Sequence, residues 1–196
     1  MTILLLAGSP SAPSRSTRLL HHVGEKLAAL GHRYSKLDVR DLPGQALIRA
    51  DFNDPEIKAA LARVEEASAV VVATPVYKAA YSGALKAFLD LLPQFGLTDK
   101  LVLPLATGGS QSHMLALDYA LRPVLSSLGP KHVLPSIYAT EAQVIWSEQD
   151  GLVLDAPIVA RVQEGVDQLS SSLLALHKTA PGVFTDIPFS QIRCSV

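Results

Sequence analysis

Short apolar runs alternate along this chain with longer segments that repeat apolar residues at helical spacing. The runs of strand length cover residues 2–7, 34–39, 69–74, 101–106 and 132–138. The helical patterns cover residues 15–30, 54–67, 83–92, 112–128 and 157–177. Apolar strands that alternate with helices are typical of a parallel sheet buried on both faces, because each crossover helix packs on the sheet.

Five strands joined by right-handed crossovers predict a doubly wound parallel sheet in the order 2-1-3-4-5, which is the flavodoxin-like α/β fold. The chain has 196 residues, 48% of them hydrophobic, which is enough for one well-buried domain and short for two. We therefore expect a flavodoxin-like domain over residues 1–177. Residues 178–196 form a tail that is either an arm packed on a partner subunit or a frayed terminus.

The first strand ends at Gly8 and leads through a hydroxyl-rich segment into a helix. A helix start leaves backbone N–H groups without partners and carries partial positive charge, so it attracts phosphate. The side-chain donors here are Ser9, Ser14, Ser16 and Thr17, with the guanidinium of Arg15. The segment lacks both Gly-Lys-Ser/Thr and Gly-x-Gly-x-x-Gly. It predicts a monophosphate site; the alternative is that Ser14 or Ser16 only caps the helix.

The loops after the third and fourth strands should meet the first loop at the carboxyl edge of the sheet. Pro75 fixes a turn, and Tyr77 and Tyr81 offer flat surfaces to a planar ring. Gly108 and Gly109 would let the backbone approach a ligand closely. A phosphate and a planar heterocycle together indicate a mononucleotide, and the uncharged surroundings suit a flavin. The alternatives are rim packing for the tyrosines and a plain tight turn for the glycines.

Charge and cysteine content exclude several classes of protein. The formal net charge of −1 gives no basic field for nucleic acid and no acidic surface of the kind an electron carrier uses for docking. The single cysteine, Cys194, excludes a disulfide within the chain and a cysteine metal cluster. The histidines show no metal-ligand spacing, and no apolar run reaches membrane-spanning length. We expect a cytoplasmic protein with small-molecule ligands, without metal, nucleic acid or membrane.

Three segments carry a family resemblance: LAGSPSAPSRSTRLL, VVATPVYKAAYSGALKAFLDLLP and VLPLATGGSQSHMLALDYALRPVL. They resemble the NAD(P)H-dependent FMN reductases, and closely the SsuE type that serves two-component alkanesulfonate monooxygenases. The resemblance runs from residue 2 to about residue 128. It implies hydride transfer from the nicotinamide C4 of NADPH or NADH to flavin N5, with NADPH favoured. It also implies a homo-oligomer, dimer or tetramer, that supplies reduced FMN to an FMNH2-dependent monooxygenase in sulfonate assimilation.

The resemblance assigns a role to each loop. It implies that Ser9, Ser14, Arg15 and Ser16 hold the FMN phosphate, that Pro75, Val76 and Tyr77 border the ring, and that Thr107, Gly108 and Gly109 meet its pyrimidine edge. The cofactors carry the hydride transfer, so no catalytic acid or base is needed. Backbone N–H groups at this edge would stabilise charge on the flavin by about 3 kcal/mol. His113 either touches the ring or nicotinamide or packs at the helix start. The family usually has an arginine where this chain has Ser11, and we expect Arg15 to take its place.

Pro123 interrupts the helical pattern of residues 112–128. Its ring clashes with the carbonyl of Tyr119 four residues earlier, so the helix must bend or bulge, and a π-type turn at Tyr119 is one solution. In the SsuE type the matching tyrosine lies in a π-helical insertion at the tetramer interface, close to the active site. The resemblance thus implies that Tyr119 tunes flavin exchange and subunit packing. The alternative is a kinked helix with a core tyrosine.

Two other functions use the same loops. One is a quinone, azo-dye or metal-ion reductase that keeps FMN bound and passes electrons to a third substrate. The other is a flavodoxin-like electron carrier or flavin-binding regulatory module that does not oxidise NAD(P)H. Turnover of NADPH or NADH with and without added FMN separates these possibilities.

Overall fold

The computed structural model describes residues 2–178 and has a central sheet with helices on both faces. The sheet strands are β1 (Thr2–Ala7), β2 (Arg33–Asp38), β3 (Ala69–Tyr77), β4 (Ala80–Tyr81), β5 (Leu101–Gly108), β6 (His132–Val133) and β7 (Ile137–Thr140). A separate hairpin consists of β8 (Val144–Ser147) and β9 (Gly151–Leu154). The helices are α1 (Arg15–Ala29), α2 (Gly44–Arg49), α3 (Pro55–Glu66), α4 (Gly83–Leu89), α5 (Arg122–Ser127) and α6 (Ala156–Lys178).

The strand order confirms the flavodoxin-like α/β prediction. β2, β1, β3 and β5 lie side by side and are all parallel. β6 and β7 then pair one after the other along the free edge of β5. They are two pieces of the single fifth strand that the sequence predicts, so the predicted order 2-1-3-4-5 holds.

Successive side chains of the central strands enter two different cores, as the twofold period of a strand requires. On β3, Val71 packs with the apolar faces of α1 and α6, whereas Val70 and Val72 pack with α3, α4 and α5. All three valines are buried. Burial of each contributes about 1.5–3 kcal/mol, and this two-sided burial explains why the run reads as continuously apolar.

The third strand is longer than predicted and turns back on itself. β3 continues to Tyr77 and pairs with β4 through a two-residue turn, Lys78–Ala79. Both turn residues have positive φ, 49° and 63°, as a type I′ hairpin turn requires. Pro75, Val76 and Tyr77 therefore belong to a strand, not to the loop that the sequence predicts. β5 likewise extends through Thr107 to Gly108.

The prediction of one helix over residues 112–128 is wrong. This part of the chain forms a 3-10 helix (Gln111–Leu115), a π-helix (Leu117–Leu121) and then α5. The N–H of Arg122 donates to the carbonyl of Leu117, five residues back. Pro123 then stands in the first turn of α5, where a missing N–H is tolerated. The wider turn at Tyr119, one of the solutions considered for Pro123, is thus confirmed.

The predicted fifth strand is broken because Pro135 cannot donate to the sheet. Arg122 occupies the break. Its guanidinium donates to the carbonyls of Val133 (3.1 Å) and Leu134 (3.0 Å) and to the hydroxyl of Ser136 (3.2 Å). The residue that closes the π-helix therefore also satisfies the backbone of the interrupted strand.

Two further segments differ from the sequence prediction. The connection expected as a loop around Pro43, Gly44 and Asp51 contains a 3-10 turn (Val39–Asp41) and α2. α2 forms because it buries Ala46 and Leu47. The β8–β9 hairpin is an addition to the predicted elements. α6 reaches Lys178, and the rest of the predicted tail, residues 179–196, lies outside the described residues. Within residues 2–178 no helix combines the length and apolar character needed to cross a membrane.

Candidate functional site

The carboxyl ends of three neighbouring strands, β1, β3 and β5, bring the predicted site loops to one edge of the sheet. Ala7 of β1 pairs with Ala73 of β3, and Pro75 of β3 pairs with Thr107 of β5. Neighbouring strands lie about 4.8 Å apart. One continuous rim therefore forms at this edge, as the open α/β fold predicts. It consists of the segment that leads from β1 into α1 (residues 8–17, called the first turn), the β3–β4 hairpin, and the glycine segment at the end of β5 (residues 107–110).

Ser14 caps α1 at the first turn. Its hydroxyl accepts a hydrogen bond from the N–H of Thr17 (3.3 Å) and lies 3.0 Å from the hydroxyl of Ser16. Capping thus explains Ser14, as the alternative interpretation requires, but it does not explain the other hydroxyls. Ser9, Ser16 and Thr17 are all buried, and the hydroxyl oxygen of Thr17 has no hydrogen-bond partner among the described residues.

The unpartnered Thr17 hydroxyl points to a ligand at this turn. A buried polar group without a partner costs about 1–3 kcal/mol, so natural proteins rarely leave one. A phosphate group at the start of α1 would accept from this hydroxyl and from the free N–H groups of the first turn. The first turn therefore fits the phosphate that the sequence predicts.

Arg40 belongs to this turn, although no local pattern in the sequence indicates it. It follows β2, and its guanidinium donates to the carbonyl of Ser11 (2.9 Å). The N–H of Ser11 donates to the hydroxyl of Ser9 (3.3 Å). The arginine that reaches position 11 is therefore Arg40. Arg15 instead forms an ion pair with Glu141 (3.3 Å), and both of these side chains are about half exposed.

A hydroxyl network joins the first turn to the β3–β4 hairpin. The Ser82 hydroxyl donates to the carbonyl of Gly8 and accepts from the N–H of Leu85 (3.1 Å), which caps α4. The Ser82 N–H in turn donates to the hydroxyl of Thr74 (3.0 Å). Thr74 and Ser82 are buried. The hairpin that presents Pro75, Val76 and the 46%-exposed Tyr77 is thereby fixed against the first turn.

Tyr138 of β7 supports the glycine segment from behind. Its hydroxyl donates to the carbonyl of Ser110 (2.5 Å). Burial, and secondarily the carboxylate of Glu141, raises the pKa of Tyr138 above its ordinary value, so the phenol stays protonated and donates. A Cβ on Gly108 would clash with this hydroxyl, whereas a Cβ on Gly109 would meet no atom within 4 Å. Gly108 is therefore required for packing, and Gly109 faces open space.

The remaining predicted residues, His113 and Tyr119, lie in the helical segments that follow the glycine segment, and both are exposed. His113 is exposed in the 3-10 helix that follows the glycine segment. Tyr119 is 80% exposed, which excludes the alternative of a core tyrosine within this chain. The π-helix that carries Tyr119 contacts β4, the second strand of the β3–β4 hairpin. The predicted ligand contacts of His113, Tyr119 and the loop residues stay predictions.

A model of the NADPH-dependent FMN reductase family matches residues 1–144. The chain belongs to this family. It is 48% identical over 145 residues to an FMN reductase (NADPH) of Escherichia coli (strain K12), covering 74% of this chain and 76% of the relative. It is 41% identical over 191 residues to an FMN reductase (NADPH) of Pseudomonas putida KT2440, covering 95% of each.

A solved structure agrees with this assignment. The apo form of an NADH:FMN oxidoreductase (EMOB) superposes with a TM-score of 0.80 at 38% identity, covering 87% of this chain and 89% of that one. This FMN reductase is thus an oxidoreductase that uses FMN together with NADPH or NADH. The buried Thr17 hydroxyl and the open space at Gly109 both fit FMN, since they offer a phosphate donor at one end of the cleft and room for a ring at the other.

Proposed function

We propose that this FMN reductase takes FMN as a dissociable substrate, reduces it with NADPH, and releases it reduced to an FMNH2-dependent monooxygenase of sulfonate assimilation. The observation that carries the proposal is a contrast between the two ends of the cleft. The phosphate end is buried at Ser9, Ser16 and Thr17, whereas the ring end is exposed at Tyr77 and Gly109. A ring held at an open rim can leave after each turnover, because little protein must move.

Each group of residues has a distinct task in this proposal. The first turn, with Ser9, Ser14, Ser16 and Thr17 and its backbone N–H groups, binds the phosphate. Pro75, Val76 and Tyr77 border the ring. Bound FMN supplies N5 as the atom that accepts hydride from the nicotinamide. The backbone N–H groups of Thr107, Gly108 and Gly109 hydrogen-bond the pyrimidine edge and stabilise negative charge there by about 3 kcal/mol.

Tyr138 and Ser82 act as positioning residues. They hold the glycine segment and the hairpin in place before the ring arrives, so less ordering is needed on binding. His113 lies next to the glycine segment, where it contacts the nicotinamide side of the ring. Arg15 contributes its positive charge to the phosphate from the start of α1 and keeps its ion pair with Glu141.

The reductase is further proposed to be a homo-oligomer, a dimer or a tetramer, located in the cytoplasm, where NADPH is supplied. Three large side chains of the 3-10 and π-helical segment are exposed: Met114 (40%), Leu115 (51%) and Tyr119 (80%). Exposed apolar side chains concentrated on one short segment are typical of a protein interface. Because the π-helix contacts β4, an interface there couples subunit packing to the ring end of the cleft.

Flavin stoichiometry and kinetics test the proposal. The protein is purified without added FMN, and NADPH oxidation is followed with and without FMN. We expect little bound flavin, turnover that depends strictly on added FMN, and a sequential mechanism. In a second step a purified FMNH2-dependent alkanesulfonate monooxygenase and an alkanesulfonate are added, and sulfite release is measured. Ping-pong kinetics with stoichiometric flavin would instead establish a prosthetic group, and absence of sulfite would reject the monooxygenase link.

A further inference from the structure

A pocket of about 240 Å³ lies next to the flavin cleft, between the start of α1 and the segment that follows β7. Pro13, Arg15 and Arg18 line one wall, and Glu141 and Trp146 line the other. Thr140, the last residue of β7, pairs with Gly108 in the sheet. The pocket therefore opens at the same edge as the glycine segment, one strand further out.

Arg18 is held in this pocket by an aromatic ring and by nothing else in the described part of the chain. Its guanidinium carbon lies 3.7 Å from the centroid of the Trp146 ring. No residue within 2–176 accepts a hydrogen bond from this guanidinium. A guanidinium stacked on a ring keeps its N–H donors free in its own plane. Such a planar array of donors matches the oxygen atoms of a phosphate.

The charges of the pocket favour a phosphate over a free hydroxyl. Nucleotide sites that prefer a free ribose 2′-hydroxyl bind it with a carboxylate, whereas sites that accept a 2′-phosphate use an arginine. Here the Glu141 carboxylate is already paired with Arg15 at 3.3 Å. Arg18 has no acidic partner within residues 2–178, so the two arginines and one glutamate leave one positive charge in the pocket.

We propose that this pocket binds the adenosine end of NADPH, with Arg18 on the ribose 2′-phosphate and Trp146 holding Arg18 in position. Trp146 is 43% exposed and, with Pro13, offers a flat apolar surface to the adenine. The inference rests on the proposed use of NADPH and names the residues that select it. The site is distinct from the FMN phosphate site, since Arg18 lies beyond the first-turn hydroxyls and faces the β8 strand.

Kinetics of charge-removing variants test the selectivity. Arg18→Gln removes the charge and keeps most of the stem, Arg18→Lys keeps the charge without the planar fork, and Arg33→Gln removes an exposed charge at the opposite edge of the sheet. We expect Arg18→Gln to raise KM for NADPH about tenfold, with KM for NADH and for FMN changed by less than about twofold. Arg18→Lys should have a KM for NADPH between those of the wild type and Arg18→Gln. Arg33→Gln should have the KM of the wild type for each substrate.

Direct binding separates this inference from the proposed function. Adenosine 2′,5′-bisphosphate and 5′-AMP are titrated into the full-length protein by calorimetry, without FMN or turnover. We expect the bisphosphate to bind at least about tenfold tighter than 5′-AMP, and Arg18→Gln to abolish that difference. An equal rise of KM for NADPH and NADH in Arg18→Gln would assign the arginine to the shared pyrophosphate and overturn the inference. Equal affinities of the two probes for the wild type would overturn it as well, even if FMN reduction and sulfite release proceed as proposed.

Discussion

The hydroxyl of Ser82 donates a hydrogen bond to the main-chain carbonyl of Gly8 and joins two turns of the candidate flavin site that lie 74 residues apart. Gly8 follows the parallel strand β1, whereas Ser82 follows β4, the antiparallel strand of the hairpin. The two turns must keep their spacing if one ligand is to bridge them. Ser82 also caps α4 and is completely buried. A single side chain thus holds the β3–β4 hairpin against the turn that follows β1.

Replacing Ser82 by alanine should lower the free energy of unfolding by about 2 kcal/mol, because a helix cap is lost and the buried Gly8 carbonyl loses its partner. FMN affinity should fall as well. Urea unfolding and fluorescence titration with FMN measure the two effects. Ser127→Ala removes an exposed hydroxyl that bonds within its own helix and serves as the matched control. A Ser82→Ala protein with the stability and FMN affinity of the wild type would contradict the assigned role.

Arg40 should contribute to FMN binding through the loop at Ser11. Arg40→Gln should weaken FMN binding by about 1 kcal/mol, or about fivefold in Kd, since it removes a charged donor from a partly exposed position. Arg40→Lys should weaken it less, because the charge stays. Flavin fluorescence titration gives both constants. Arg33→Gln, which removes an exposed charge elsewhere, is the control. If Arg40→Gln binds FMN as tightly as this control does, Arg40 does not contribute to FMN binding through the loop at Ser11.

The two glycines of the β5 turn should respond differently to the same change. Gly108→Ala should destabilise the protein by about 1–3 kcal/mol, because the new methyl group clashes with the Tyr138 hydroxyl. Tyr138→Phe in the same chain should restore much of this loss. Without the hydroxyl, the nearest atom to the new methyl group is the ring carbon Cζ of residue 138, at 3.3 Å. Gly109→Ala should leave stability within about 0.5 kcal/mol and lower FMN affinity. Thermal unfolding and flavin titration are measured for the wild type, the two single glycine variants and the double variant. They show whether each glycine is needed for packing or for contact with the ligand.

Stability should fall as the pH is lowered through the ordinary histidine pKa of about 6.5. Burial lowers the pKa of His21 and of His22, and Lys36 and Lys26 respectively lower them further. Below about pH 6.5 the unfolded chain therefore binds more protons than the folded one, and the free energy of unfolding decreases with decreasing pH. His22→Gln, which removes a ring whose Nε2 has no partner among the described residues, should flatten this dependence between about pH 5 and 7 in urea unfolding. A steeper dependence in the variant would mean that folding raises the pKa of His22 instead of lowering it.

The strand order and the hydroxyl-rich turn that leads into α1 could be predicted from the sequence, because both depend on local patterns. The apolar runs set the parallel sheet. Pro123 predicted a bend or a bulge, and the π-helix at Tyr119 is the one of these two that the chain adopts. The β8–β9 hairpin could also have been found, since Asp150-Gly151 is a strong turn signal and Gly151 has a φ of 68°.

Other parts of the site leave no such local sign. The Lys78–Ala79 turn has positive φ at both positions without Asn or Gly, so tertiary contacts impose it against local preference. The Arg40–Ser11 and Ser82–Gly8 hydrogen bonds join residues far apart in the chain. Such contacts depend on how the strands align, which a single sequence does not specify.

The π-helix gives the last prediction. Deleting Tyr119 shortens the turn by one residue and should leave the sheet intact, since Tyr119 is 80% exposed. Because the turn contacts β4, FMN exchange and subunit packing should change together: multiple turnover slows or FMN is retained on purification, and the oligomer measured by light scattering becomes smaller. Tyr119→Ala keeps the inserted residue and controls for loss of the side chain alone.

Pro123 complicates the deletion, because an α-helix running through it would press the proline ring against a carbonyl of the preceding turn. The deletion should therefore be made also in a Pro123→Ala background, where a regular helix can form without that clash. If the double variant folds, remains the same size and turns over FMN at the wild-type rate, the inserted residue serves only to accommodate the proline. If it folds but exchanges flavin slowly, the π-turn itself controls release at the open end of the cleft.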